Sequence, residues 1–350
     1  MDRTRVAVLV GGRSTEHSIS CISGRSIVAA LDPQRYEVSV VGIARDGRWV
    51  RDADGGLGIL SESAGPLPEV SAHAPTVDVS ACLDVDVVFP VLHGPWGEDG
   101  TVQGLLETLG LPYVGSGVLA SALSMDKGHM KATLEAAGID VGRYVVVTDR
   151  EWTTDPESVL TAVAALGLPV FVKPARAGSS LGISKVSSED GLVAAIEGAR
   201  KHDPRLIIEA AVPNAREIEC GVLVDGDGVP SASRCAEIVV NARHEFYDFE
   251  AKYLDDSATL VVPAELEADE ERQVQQVAVA AFEALGCEGL ARVDFFRAAD
   301  GRLILNEANT MPGFTSISMY PRMWAATGVD YPTLVDRLVA DALRKGTGLR

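Results

Sequence analysis

The stretch 290–309 constrains the fold more than any other part of the chain. Residues 290–296 form an apolar run that reads as a buried strand, yet Arg292 and Asp294 stand inside it. Asp300-Gly301 is a hairpin turn signal, 303–305 reads as the return strand, and Glu307 and Asn309 follow. Side chains alternate along a strand, so Glu307 and Asn309 share one face, and Arg292 points the same way as Asp294. The hairpin brings Asp294 back beside Glu307 and Asn309. Two carboxylates and an amide are hard oxygen donors of the kind that suit Mg²⁺. The plainer reading is a solvated hairpin edge, but exposed hairpins rarely flank such ligands with apolar strands.

The 350 residues are too many for one core, so two or three domains are expected. The first third alternates strand and helix patterns. A strand over 6–10 ends at Gly11-Gly12, a helix pattern runs over 18–31, strands follow at 38–43 and 85–91, and 101–109 is a short helix. This βαβ order predicts an α/β unit with an open parallel sheet. Residues 52–80, rich in Gly, Ser, Pro and Ala, read as a variable connection. A second unit starts near Val118, with a helix over 126–137, strands at 145–147, 170–173, 183–186 and 206–208, and a helix capped by Ser188. Val212-Pro213 looks like its end. Beyond it come strands at 218–224 and 232–240, a charged aromatic loop over 241–257, an amphipathic helix over 269–285 and the hairpin.

The net charge of −19 argues against nucleic acid or an anionic membrane as partner. It also means that any phosphate ligand needs local cations, which Lys127, Lys173, Lys252, Arg292 and a metal could supply. The five cysteines are scattered, odd in number and without a Cys-x-x-Cys pair, which fits a reduced, cytoplasmic protein. The early strand predicts no signal peptide, and no apolar run is long enough to span a bilayer.

The phosphate signal is Lys173-Pro-Ala-Arg-Ala-Gly178-Ser179-Ser180-Leu-Gly182. A strand delivers a lysine, and a Gly/Ser loop then offers backbone N–H groups and hydroxyls to phosphate oxygens. A plain Gly-rich turn is the simpler alternative. Gly178 to Gly182 also satisfies G-x-S-x-G, with Asp225 and His244 able to complete a triad, so a serine hydrolase is a rival. That pattern needs a helix directly after the serine, where 183–186 reads as a strand. Glu209 and Glu217, joined through Ala210, Ala211 and Val212, could hold an adenine edge and ribose hydroxyls, although glutamates at strand ends are ordinary. Glu16 follows the first strand, where open α/β sheets place ligand residues. His93 ends the strand over 85–91, a place where a histidine is more often structural. Ser318 lies in a distinctive loop of its own. The loop around 246–253 combines aromatics with Lys252 and Tyr253 and reads as a lid or an interaction patch.

Together, Leu92-His-Gly-Pro-Trp-Gly-Glu-Asp-Gly-Thr101, Met125-Asp-Lys127, Glu250-Ala-Lys-Tyr253 and Asn306-Glu-Ala-Asn-Thr310 through Ser318 closely resemble the D-alanine–D-alanine ligases of the ATP-grasp superfamily. The resemblance runs from Val6 to Met319, and so many motifs in one order make it highly specific. It implies an α/β ATP-grasp fold: an N-terminal open parallel substrate domain over 1–117, then two α+β subdomains, 118–212 and 213–350, that clamp ATP. Lys127, Lys173, Ser179, Ser180, Glu209, Ala210, Val212, Glu217 and Lys252 would contact ATP, and Asp294, Glu307 and Asn309 would bind two Mg²⁺ or Mn²⁺ ions. Glu16 would hold the ammonium of the first D-alanine, with His93 nearby. Ser179 and Tyr253 would link to Glu16 and hold the lid over 241–257 closed. Arg292 and the Gly313 N–H would stabilise an oxyanion, and Ser318, with Met319 in the same subsite, would bind the second D-alanine. Phe249 stands where tyrosine is frequent, and Ala210 and Ala211 stand where larger residues are often seen. The implied product is D-alanyl-D-alanine for peptidoglycan, made by a cytoplasmic homodimer. A D-alanine–D-lactate ligase is the nearest alternative, opposed by Glu250-Ala-Lys-Tyr253. A nucleotide-binding regulator without turnover is the other, opposed by the intact metal set.

Overall fold

The computed structural model describes residues 3–51, 56–62, 67–71, 73–82, 84–224, 226–240 and 258–348. The expected lid over 241–257, with Phe249, Glu250, Lys252 and Tyr253, lies outside the described residues, as do Asp225 and His244.

Val6, Ala7, Val8, Leu9 and Val10 have no exposed surface. Such an unbroken apolar run belongs to a strand covered on both faces, which parallel sheets provide. The strand Thr4–Gly11 pairs in parallel with Tyr36–Ile43 on one side and Val87–Pro90 on the other. A short strand, Trp49–Val50, adds an antiparallel edge. The expected connection over 52–80 carries more structure than its composition suggests. It holds a two-stranded piece, Leu60–Glu62 with Pro68–Val70, and a helix, Val79–Cys82. Ile59, Leu60 and Val70 are buried and pin it to the first core.

The middle of the chain forms a four-stranded sheet in the order Tyr144–Thr148, Arg205–Ala210, Val170–Pro174, Ser184–Val186, antiparallel throughout. The helix expected over 126–137 is Lys127–Ala136, because the Asp126 side chain accepts from the Gly128 and His129 N–H groups and starts it there. A separate helix, Val118–Met125, precedes it.

The third sheet has five antiparallel strands, ordered Ala258–Val261, Pro230–Val240, Arg216–Val224, Leu290–Arg297, Leu303–Asn309. Two helices absent from the sequence reading follow it, Met319–Thr327 and Tyr331–Lys345. The last one buries Leu334, Val335, Leu338, Val339 and Ala342, the stripe of an amphipathic helix. That stripe packs into one core with Val6, Val8, Val87 and Phe89 of the first sheet. Asp336 on the same helix accepts from the Tyr36 hydroxyl and pairs with Arg35 at 2.7 Å. The two ends of the chain therefore build a common core.

The helix His17–Ala30 lies against the first strand at Gly24, where an added Cβ would overlap Val10 Cγ1. Gly24→Ala gains helix propensity of up to about 1 kcal/mol. Overpacking against a buried β-branched residue costs about 1–3 kcal/mol, so the net effect should be destabilising. A lowered melting temperature in differential scanning calorimetry is expected. A melting temperature equal to or above wild type would show that the contact relaxes freely.

Candidate active site

Strand register gathers the hairpin residues. Asp294 stands opposite Glu307 on one side and Glu219 on the other, so three carboxylates lie in a row across three strands. Arg292 stands opposite Asn309 and Gly221. Its Nε and Nη2 donate to the two oxygens of Asp294, each at 2.8 Å, and Nε lies 3.4 Å from Glu219 Oε1. Only 16 % of the Arg292 side chain is exposed. Burial alone would lower its pKa, but Asp294 and Glu219 outweigh this and hold it well above the usual arginine value. Asn309 Nδ2 donates to Asp294 at 3.1 Å, and Lys127 Nζ lies 3.4 Å from Glu307 Oε2. Glu219 was not singled out from sequence, although it stands two residues after Glu217 and shares its face.

No trio of His, Cys, Asp or Glu among the described residues is gathered tightly enough to hold a metal. Asp294, Glu307 and Asn309 nevertheless offer two carboxylates and an amide from adjacent paired strands. That donor chemistry fits a hard divalent ion, and Lys127 and Arg292 pair with the two carboxylates of the set.

Between the second and third sheets lies a cavity of about 530 Å³. Phe171, Ile218 and Phe295 give it apolar walls, and Lys127, Lys173, Ser179, Ser180, Glu209, Ala210, Val212 and Glu217 all line it. Glu209 is buried between Lys131 Nζ, at 2.8 Å, and Lys173 Nζ. Burial pushes its pKa up, but the two ammonium groups prevail and hold it down at about 2. The Lys173 pKa is raised: burial would lower it, and Glu209 overcomes this. Lys131 also escaped the sequence reading. It stands four residues after Lys127 on one helix, the spacing that shares a face. Ser179 and Ser180 have φ of +48° and +60°, the left-handed region that non-glycine residues seldom adopt. After them the chain enters the strand Ser184–Val186 and not a helix, so the nucleophile elbow is absent and the hydrolase reading falls.

A second cavity, about 380 Å³, opens beside the first sheet and contains Glu16, His93, Arg292, Gly313, Ser318 and Met319. The Ser179 hydroxyl donates to Glu16 Oε1. A Cβ on Gly94 or Gly178 would stand 2.6 or 2.7 Å from Glu16 Oε2, so the carboxylate is seated between two glycines. His93 is buried, which lowers its pKa. Its Nδ1 donates to the Met311 carbonyl at 2.9 Å, and Nε2 lies 3.2 Å from Ser23 Oγ. Both ring nitrogens are thus committed to protein partners. Ser318 Oγ accepts from the Thr315 N–H at 3.1 Å and lies 2.8 Å from Thr315 Oγ1. Glu98, another residue missed from sequence, also lines this cavity. Burial and the neighbouring Glu16 carboxylate push its pKa up, while the Gly94 and Met311 N–H groups that its oxygens accept from favour the ionised form. The two cavities meet, sharing Lys127, Ser179, Glu219 and Glu307.

Known proteins resemble this chain over nearly its whole length. Residues 5–116 match the family model described as D-ala D-ala ligase N-terminus, and 133–340 match D-ala D-ala ligase C-terminus. A D-alanine–D-alanine ligase of Arthrobacter sp. (strain FB24) is 53 % identical over 370 residues, spanning 99 % of this chain and 96 % of that protein. The crystal structure of the VanG D-Ala:D-Ser ligase from Enterococcus faecalis superposes with a TM-score of 0.81 at 34 % identity, covering 97 % of this chain and all of that one. The D-alanine–D-alanine ligase from Coxiella burnetii gives 0.80 at 34 % identity, over 99 % of this chain and 95 % of that one.

The Glu209 carboxylate offers a test of the electrostatics. Glu209→Gln leaves two ammonium groups without their shared counter-charge, which should cost about 3–5 kcal/mol near neutral pH. A depressed pKa means stabilisation that is present above the unfolded value of ~4.3 and is lost as pH falls towards the folded value. Urea unfolding of both proteins from neutral to about pH 3 should show the gap narrowing below the unfolded value. A gap independent of pH would place the effect elsewhere.

Proposed function

The chain belongs to the D-alanine–D-alanine ligase family, and from that premise we propose how its residues carry out the reaction. Its activity is the ATP-dependent joining of two D-alanines. The observation that carries the mechanism is the shared wall of the two cavities at Lys127, Glu219 and Glu307. A nucleotide in the larger cleft directs its terminal phosphate there, where it meets the carboxylate of an amino acid in the smaller cavity.

A carboxylate is a poor electrophile until one of its oxygens is phosphorylated. The first D-alanine attacks the γ-phosphorus, ADP leaves, and an acyl phosphate forms. The amine of the second D-alanine then attacks the acyl carbon, and the tetrahedral intermediate collapses with loss of inorganic phosphate. Glu16, steadied by Ser179, holds the first ammonium, and His93 shapes the wall beside it. Lys127 and Lys173 take up charge on the phosphates, with Ser179, Ser180 and the Glu209–Glu217 edge around the nucleotide. Arg292 and the Gly313 N–H receive the developing oxyanion. Asp294, Glu307 and Asn309 would hold two Mg²⁺ or Mn²⁺ ions, whose chemistry is to neutralise the transferring phosphoryl group. Ser318 and Met319 form the second subsite, and the loop over 241–257, with Lys252 and Tyr253, closes over the intermediate and excludes water.

Residues 1–117 serve as the substrate domain, with 118–212 and 213–350 as the two halves that grip ATP. The enzyme works as a cytoplasmic homodimer supplying peptidoglycan precursors. No helix among the described residues is long and apolar enough to cross a membrane. The D-lactate alternative gains no support from the curated relatives, whose names give D-alanine for both substrates. The deciding assay supplies ATP and D-alanine with D-alanine, L-alanine, D-serine or D-lactate as second substrate, and separates products by mass. D-Alanyl-D-alanine should dominate; a preference for another product would overturn this reading.

Ser318→Ala should act mainly on the second D-alanine. Loss of one charge-assisted hydrogen bond is worth about 1.5–3 kcal/mol, or roughly 10- to 150-fold in that substrate's KM. The KM for ATP should hardly move. Equal losses for ATP and both amino-acid sites would point instead to collapse of the loop.

A further inference from the structure

The segment 311–314 follows directly on the strand Leu303–Asn309 of the third sheet. Its backbone is nevertheless anchored from the first sheet's side of the cavity. The Met311 N–H donates to Glu98 Oε1 at 3.1 Å, and the Met311 carbonyl accepts from His93 Nδ1 at 2.9 Å. The Phe314 N–H donates to Ser23 Oγ at 3.3 Å, and that hydroxyl also lies 3.2 Å from His93 Nε2. Glu98 Oε2 meanwhile accepts from the Gly94 N–H at 2.5 Å. One carboxylate thus ties two loops together, with a different oxygen for each. Between the anchors at Met311 and Phe314 lies Pro312, which has no N–H, and then Gly313.

We propose that Glu98 is a positioning residue, which clamps the Met311 and Gly94 amides and so aims the Gly313 N–H at the oxyanion. The inference rests on the ligase reading of the site. An oxyanion donor works because it is oriented before charge develops. Met311 is held at its N–H by Glu98 and at its carbonyl by His93, so neither of the two peptide planes flanking its Cα can swing without breaking one of these bonds. Misplacement by about 1 Å can reduce a rate on the order of 10²-fold.

Glu98→Gln tests the clamp. The amide offers one acceptor oxygen, and its NH₂ must face the second backbone N–H, so one of the two ties is lost. We expect kcat for D-alanyl-D-alanine synthesis to fall by roughly 10- to 100-fold. The KM values for ATP and both D-alanines should stay within about threefold, and the melting temperature should still rise with ATP as in wild type. An unchanged kcat would overturn the proposal. A rise confined to the KM of the first D-alanine would also overturn it, because Glu98 would then belong to the ammonium site beside Glu16. Parallel loss of ATP binding and thermal stability would reduce Glu98 to a general structural role. Should Glu98→Gln fail to fold, Glu98→Asp keeps the carboxylate on a stem one methylene shorter, which cannot reach both amides. It should lower kcat several-fold with KM values unchanged, and full kcat there would refute the clamp. Failure of the ligase reading has a separate signature, since the wild-type protein would then make no dipeptide.

Discussion

Lys127, Lys131, Lys173 and Arg292, the cations set deepest in the two cavities among the described residues, are each matched by a carboxylate within the fold, and the site depends on this matching. Lys131 and Lys173 share Glu209, Arg292 sits between Asp294 and Glu219, and Lys127 lies beside Glu307. An unmatched charge at such depth costs several kcal/mol, so the pairs fix side chains that would otherwise be long and mobile. A chain of net charge −19 exerts no long-range pull on a polyanion. Attraction for phosphate must therefore be local, and it falls to the lysines and Arg292.

The meeting of distant residues at this site follows from packing. Val6 to Val10 need cover on both faces of their strand, and the helix Tyr331–Lys345 supplies part of it. Phe314 stands in the same core, against Phe89 with ring centroids 5.9 Å apart and against Tyr331 at 5.8 Å. The segment that carries Gly313 and Ser318 is thereby drawn towards the first sheet, where Glu16 and His93 leave their strands. Hydrophobic burial between the chain's two ends places the polar groups of one unit opposite those of another.

The hairpin over 290–309 was legible because its information is local. Alternation, a turn signal and two apolar runs suffice to set Asp294 beside Glu307 and Asn309, as the register has them. The parallel first sheet was legible for the same reason. The last two helices carried a local signal that the sequence reading passed over: Asp330 before Tyr-Pro, then Leu334, Val335, Leu338 and Val339 at helical spacing. What that helix covers was not legible at all, since Tyr36 and Asp336 are 300 residues apart. Glu219 and Lys131 were recoverable from spacings of two and four residues relative to Glu217 and Lys127. Glu98 was not, because its partners are backbone amides, which no residue pattern reveals. The break at Asp126 shows a cap overriding a helix pattern that continues on both sides.

The seat of Glu16 between Gly94 and Gly178 has a consequence for inhibition. Glu16 and Gly94 belong to the first unit and Gly178 to the loop after the strand Val170–Pro174. No space for even a methyl group remains between the carboxylate and either glycine. The corner is thus built from two segments distant in sequence, with a glycine on each side of the carboxylate. A small molecule that recognises the carboxylate and adds bulk on the Gly178 side would act as a wedge. It would have to shift the Gly178 loop or the Glu16 side chain, since no open space is left between them.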